Sequence, residues 1–180
     1  IKTLWQVGLS GVSLYESENL GHQRRTLLHR AARTLAALHA SSTDCQTRRD
    51  LAELFAHFDE VERLAALVRP ESLYKLRSLI ERLKRQAHHL GERPLATLHG
   101  DLHLKNFFVV EQNIALIDLD GLSLGDPLQE LGSFLASLYY RELSQNGSLS
   151  RAQHNADEFI AAYAESVAWE ISARALRWYV

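Results

Sequence analysis

His99-Gly100-Asp101-Leu102-His103-Leu104-Lys105-Asn106 decides how the rest of the chain is read, together with Ile117-Asp118-Leu119-Asp120 and Gly125-Asp126-Pro127 downstream of it. The first stretch gathers ionisable and amide side chains between two short apolar runs, Leu95 to Leu98 and Phe107 to Val110, and a third run, Ile114 to Ile117, leads into Asp118. Runs this short, without a helical period, predict strands. Glu111, Gln112 and Asn113 suit a hairpin turn between the last two, because Asn tolerates the left-handed backbone that such turns need. If those two strands pair, the loop before the first and the loop after the second emerge at the same end. Asp101 and Asn106 then come near Asp118 and Asp120. Oxygen ligands in such a cluster suit Mg²⁺, which keeps several waters and takes one or two carboxylates together with substrate phosphates.

Outward from this segment the texture is helical. Leu28, Ala31, Leu35 and Leu38 recur at three- and four-residue steps, as do Leu51, Leu54, Phe55, Phe58, Val61, Leu64 and Val68. Pro70 ends the second helix, and a third carries Leu73, Leu76, Leu79, Leu83 and Ala87 before Gly91 and Pro94 stop it. Pro127 suits the first turn of a helix whose stripe is Leu128, Leu131, Leu135 and Leu138, and Asn146-Gly147 breaks it. Ser150 with Gln153 resembles a capping box that opens another helix, and a last helix is expected around Ala168 to Tyr179. The first twenty residues, with Leu4, Val7, Leu9, Gly11, Leu14 and Tyr15, read as a short strand running into a loop. No repeat or Pro/Gly/Ser-rich linker divides residues 1–180, so we expect one α+β domain, mostly helical, with a small hairpin.

The composition fits an ordinary soluble core: 180 residues, 46% hydrophobic and 23% charged. A net charge of −2, from 20 Lys plus Arg against 22 Asp plus Glu, gives no sequence-wide reason to expect nucleic acid as a partner. Charges interrupt every apolar stretch well short of the roughly 18 consecutive positions of a membrane span, so no membrane partner is expected. Cys45 is the single cysteine, which excludes an internal disulfide and a multi-cysteine zinc site and fits a reducing cytoplasm. The chain starts at Ile1 and has no Met, so it is expected to be part of a longer polypeptide, and no signal-peptide pattern opens it.

An Asp five residues before an Asn, followed by a hairpin and an Ile-Asp step, is the arrangement of a phosphotransferase catalytic loop and metal loop. His99-Gly100-Asp101 through Asn106, Ile117-Asp118-Leu119-Asp120, Gly125-Asp126-Pro127 and Glu130-Leu131 closely resemble, in order and spacing, the aminoglycoside phosphotransferase family of the protein-kinase-like superfamily. The resemblance covers the C-terminal lobe of that family. It implies that Asp101 is the base for a hydroxyl acceptor, and that Asn106 and Asp118 hold Mg²⁺ on the phosphates of ATP. Asp120 is implied as a further metal or second-layer ligand, His99 as a brace of the loop, and Asp126 as a tie back towards the catalytic loop. Phe108 and Ile117 would floor the adenine, with backbone groups near Val7 to Leu9 facing it, and Gly11 to Leu14 matching the turn after the hinge strand between two lobes. An N-terminal lobe with a phosphate-covering loop and a Lys–Glu pair is then the missing partner, and residues 1–180 alone are expected to be inactive.

The sequence departs from the family at Leu104-Lys105, where many relatives have Pro-Gly, and at Glu130, where Asp is common. Lys105 either touches substrate or phosphate or points at water. His103 faces the transferred phosphate or is a neutral loop histidine. His99 and His103 lack the helical Glu partner of a zinc protease motif, and Arg24, Arg25, Arg30 and Arg33 read as a solvated helix face. Asp101 and Asp118 have an ordinary alternative as loop carboxylates that cap backbone N–H groups. Two other functions stand beside the small-molecule kinase: a catalytically silent kinase-like scaffold, and a metallophosphoesterase, which needs further ligands in separate motifs. The acceptor is open among antibiotics, sugars, amino alcohols and metabolites.

Overall fold

Burying the apolar stripes of several helices against one another builds the body of the protein. The computed structural model describes residues 9–11, 15, 21–91, 93–110 and 113–180. In chain order its elements are β1 (Leu9–Ser10), α1 (Gly21–His39), α2 (Leu51–Val68), α3 (Leu73–Gln86), β2 (Ala96–Leu98), β3 (Phe107–Val110), β4 (Asn113–Leu116), β5 (Ser123–Gly125), α4 (Pro127–Asn146), α5 (Leu149–Ala164) and α6 (Ala173–Tyr179). Short 3₁₀ turns sit at Pro70–Ser72, Ala87–His89, Leu104–Asn106 and Leu119–Gly121. Val7, Gln112 and most of the expected turn from Gly11 to Leu14 lie outside the described residues.

α5 packs against both α1 and α4, and α6 closes on α4. Leu28, Ala31 and Leu35 of α1, Leu131, Phe134 and Leu138 of α4, and Phe159 and Tyr163 of α5 are all buried in this core. The Phe134 ring lies between those of Phe159 and Phe107, with centroids at 4.5 and 5.7 Å, so β3 is fastened to the helices through Phe107. α2 and α3 pack on each other and stand apart from this core: α2 has no buried residue and α3 only Ile80.

Local chemistry sets most of the boundaries. Asp50 accepts the Glu53 N–H at 3.0 Å to start α2, and Asp126 accepts the Leu128 N–H at 2.9 Å to start α4, with Pro127 in its first turn. Gly147 ends α4 with φ of 60°, in the left-handed region. The cap of α5 is Ser148, whose Oγ accepts the Arg151 N–H at 3.2 Å; Ser150 lies inside the helix, so the expected capping box with Gln153 does not form. The last helix starts only at Ala173, because Ser172 accepts the Ala175 N–H and fixes the start there rather than near Ala168.

Two small antiparallel sheets complete the fold. The first has strand order β1-β3-β4, with Leu9 opposite Val109 and Phe107 opposite Leu116. The second pairs β2 with β5, Thr97 opposite Leu124. β5 was not expected from the sequence. The segment before α2 is attached to it as a further rung: the Arg49 N–H donates to the Leu124 carbonyl at 2.8 Å and the Leu124 N–H to the Thr47 carbonyl at 2.9 Å. No helix among the described residues is long and apolar enough to cross a membrane.

Candidate active site

The loop from His99 to Asn106 and the turn from Asp118 to Gly121 are built against each other. Gly100 has φ of 90°, and a Cβ there would fall 2.1 Å from the Gly121 carbonyl oxygen, so no other residue fits this approach. His99 is buried between the two loops. Its Nε2 lies 2.9 Å from the Ile117 carbonyl and must donate to it, which leaves Nδ1 to accept the Asp101 N–H at 3.4 Å. The ladder of β3 and β4 runs on past its end, where the Ile117 N–H donates to the Asn106 carbonyl at 3.0 Å. The hairpin therefore brings the two polar loops to one end, as its pairing required.

Glu130 of α4 holds the backbone of the first loop. Its two carboxylate oxygens accept the His99 N–H at 2.9 Å and the Gly100 N–H at 2.7 Å, and His39 Nε2 donates to it at 2.9 Å. Burial works to raise its pKa, but the hydrogen bond and charge of His39 and the two backbone N–H groups outweigh it and hold the carboxyl below its ordinary value. Behind His39, the Tyr163 hydroxyl lies 2.6 Å from Nδ1, and burial followed by the nearby Glu130 charge pushes its pKa up. The tie to the catalytic loop expected of Asp126 is thus made by Glu130. Asp126 instead caps α4, accepts the Tyr179 hydroxyl at 2.9 Å and pairs with Arg93.

The residues singled out as catalytic and metal-binding sit along this edge. The Asp101 side chain is 75% exposed, with His103 Nε2 3.7 Å from its Oδ2. Asn106 is buried and spends its amide on the Asp101 carbonyl at 2.9 Å, which leaves its Oδ1 as the side-chain oxygen available to a ligand. Asp118 has φ of 64°, and among the described residues no other non-glycine has a positive φ. Such a conformation is uncommon for any side chain other than Asn or Asp and is the kind of local strain that functional loops keep. Asp118 and Asp120 are exposed. Among the described residues no three His, Cys, Asp or Glu side chains form a group that could hold a metal ion. A metal here would rest on Asn106, one or two carboxylates and oxygens of a bound phosphate, which suits Mg²⁺.

Phe107, Val109, Ile114 and Leu116 turn towards the core. Phe108 and Ala115 pair across the strands on the opposite face, and Ile117, 40% exposed, continues the same alternation. Ser10 of β1 lies opposite Phe108, so β1 borders this apolar face. Lys105 is exposed and lines, with His103 and Tyr140, a cleft of about 260 Å³.

A larger cavity of about 750 Å³ opens beside Asp101, between the loop from His99 to Asn106, the α2–α3 pair, α4 and α6. Its walls include Phe58, Leu79 and Trp178, together with Arg49, Arg82 and Arg177. Arg49 and His39 were missed in the sequence, and Glu130 was read as a motif residue standing where Asp is common, with no role in holding the loop. For Glu130 and His39 a signal existed: four residues before Phe134 and four after Leu35, they fall on buried helix stripes, where an ionisable group needs a partner. Arg49 gave none, because its position follows from the unexpected β5.

Similarity to known proteins accords with this geometry. The aminoglycoside phosphotransferase APH(3'')-Id from Streptomyces rimosus ATCC10970 superposes with a TM-score of 0.63 at 23% identity, over 86% of this chain and 59% of that one. Its structure is also known in complex with ADP and streptomycin. Spectinomycin phosphotransferase APH(9)-Ia, in complex with ADP and spectinomycin, gives 0.63 at 16% identity, over 97% and 54%. A choline/ethanolamine kinase family protein from Mesorhizobium loti gives 0.59 at 18%, over 91% and 49%. The chain thus spans about half to three fifths of the length of these proteins. No curated protein sequence matches it. The family model of the phosphotransferase enzyme family, in contrast, matches residues 3–175. With that match running over nearly its whole length on a protein-kinase-like fold, the chain belongs to the phosphotransferase enzyme family.

Proposed function

We propose that this chain is the C-terminal lobe of an ATP- and Mg²⁺-dependent kinase that phosphorylates a hydroxyl group of a small molecule. The observation that carries the reading is the contact of Gly100 with Gly121, bridged by His99, which sets Asp101, Asn106 and Asp118 along one edge beside a cavity large enough for an acceptor. Asp101 orients the acceptor hydroxyl and takes its proton as the oxygen bonds to the γ-phosphorus. The bond from that phosphorus to the bridging oxygen breaks, and ADP leaves with the electron pair. Asn106 Oδ1 and Asp118 hold Mg²⁺, with Asp120 beside them; the bound ion supplies charge neutralisation on the phosphates. Phe108 and Ile117 floor the adenine, next to the strand at Leu9 and Ser10. A second lobe of the same polypeptide covers the phosphates, and the activity belongs to the two lobes together.

Asp101→Asn tests the assignment in the full-length protein. It is expected to lower acceptor-stimulated nucleotide consumption by about 10²–10⁴-fold, the range of a lost general base, while nucleotide affinity stays within about threefold. Normal turnover in this variant would overturn the role of Asp101.

A further inference from the structure

The cavity beside Asp101 has a charge pattern that bears on what the acceptor must be. Its carboxylates are Asp101 and Glu130, and its cations are Arg49, Arg82 and Arg177. Glu130 is already engaged by three N–H donors, from His39, His99 and Gly100, so it offers little to a ligand. The guanidinium groups form no ion pair among the described residues. On α3, Arg77, Lys84 and Arg85 each pair with an acidic side chain, whereas Arg82 has no such partner among the described residues and lines the cavity. Arg177 of α6 likewise lines it without an ion pair among them.

Arg49 is the most constrained of the three. Its backbone is pinned to Leu124 of β5, and its Nη2 lies 3.1 Å from where a Cβ on Gly100 would be, directly beside the catalytic loop. Its Nε is buried with no hydrogen-bond partner among the described residues. Buried polar groups are almost always hydrogen-bonded, so the unpartnered Nε shows that no described residue takes up this guanidinium, which lines the cavity. Guanidinium matches carboxylate and phosphate through paired N–H donors, and an ammonium-bearing acceptor would meet like charge in this cavity.

We propose that the acceptor carries, besides the hydroxyl that is phosphorylated, an anionic group, phosphate or carboxylate, seated on the guanidinium of Arg49 with Arg82 and Arg177 adding to the field. This rests on the phosphoryl-transfer reading of the same site.

The test uses the full-length protein with matched compounds: glucose, glucosamine, glucuronate and glucose 6-phosphate, and glycerol, ethanolamine, glycerate and glycerol 3-phosphate. Binding without nucleotide is measured by calorimetry, and nucleotide consumption is measured separately. The anionic members are expected to bind about tenfold or more tightly than their neutral and ammonium-bearing counterparts, and the ratio of phosphate to carboxylate members identifies the group. Arg49→Gln is expected to weaken that binding by about 30-fold or more, Arg49→Lys to recover part of it, and Arg82→Gln and Arg177→Gln to cost about two- to fivefold each. Arg33→Gln, on the exposed face of α1, is expected to change nothing. Equal or better binding of the neutral or ammonium-bearing members overturns the proposal, as does absence of anion binding, indifference to Arg49→Gln, or a rise in nucleotide KM rather than acceptor KM in that variant. Anion binding that depends on Arg49 without turnover of any compound would instead sink the transfer reading and leave the anion site standing. Turnover of neutral or ammonium-bearing acceptors that depends on Asp101 would do the reverse.

Discussion

α1 and α2 carry the same kind of apolar stripe and meet opposite fates. On α1, Leu28, Ala31 and Leu35 are at most 1% exposed, while on α2 Leu64 is 49% and Val68 71% exposed. The difference lies in what covers them: α1 is packed by α5, β2 and β4, and α2 mainly by α3. Periodicity thus dictates a helix and a face, but the partner dictates the energy. The buried helices form a fixed platform that positions the His99–Asn106 loop through Glu130, and the α2–α3 pair forms a cavity wall whose residues are freer to change. Phe134→Ala, in the ring cluster of the platform, is expected to cost about 3–5 kcal/mol, whereas Val68→Ala, at the exposed end of the α2 stripe, is expected to stay within about 0.5 kcal/mol. Urea unfolding of the two variants checks this; equal losses would erase the distinction between the two regions.

A smaller effect sharpens the link between platform and loop. In Glu130→Gln one carboxylate oxygen becomes an NH₂ group that faces a backbone or His39 donor, and leaving such a buried donor unpaired costs about 1–3 kcal/mol. The pH dependence has a definite sign. The folded pKa of Glu130 lies below its ordinary value of 4.5, so the stabilisation from its ionised form is present above that value and is lost as the pH falls through the folded pKa. Urea midpoints measured from pH 7 down to pH 4 and below are expected to fall more steeply for the native protein than for Glu130→Gln. Parallel pH profiles would show that Glu130 does not carry the ionic tie to the loop.

Much of this was legible in the sequence where the signal is local. The stripes of α1 and α4, the pairing of β3 with β4 and the break at Gly147 follow from period, strand length and the left-handed preference of glycine, but Asn113, expected in the hairpin turn with a left-handed backbone, opens β4 without a positive φ. The convergence of the two polar loops followed from hairpin topology alone. The rest was set by distant partners. Ser123-Leu124-Gly125 is too short for a periodic pattern, and it becomes β5 only because β2 and the segment at Thr47 to Arg49 pair with it. The cavity arginines come from a loop, from α3 and from α6, and no sequence spacing links them. The same holds for the relay through Tyr163, His39 and Glu130, whose members come from α5, α1 and α4.

The smallest expected effect concerns what holds the wall together. Lys84 donates to Asp59 at 2.6 Å between α3 and α2, and its ammonium lies 5.7 Å from the centre of the Phe55 ring. Asp59 is 65% and Lys84 34% exposed, so water competes for both charges, and an ion pair of this kind contributes about 0.2–1 kcal/mol. Lys84→Gln is therefore expected to shift the urea midpoint slightly, less than Glu130→Gln does, and to lose part of that shift in high salt. Amide exchange in α2 and α3 is expected to rise in the variant while exchange in α1, α4 and α5 stays unchanged, because opening the pair exposes few buried apolar groups. If Lys84→Gln instead destabilised the whole protein as much as Glu130→Gln, the wall would unfold together with the platform. The two regions would then be one cooperative unit despite their difference in burial, and the cavity wall would have no independent freedom to fit an acceptor.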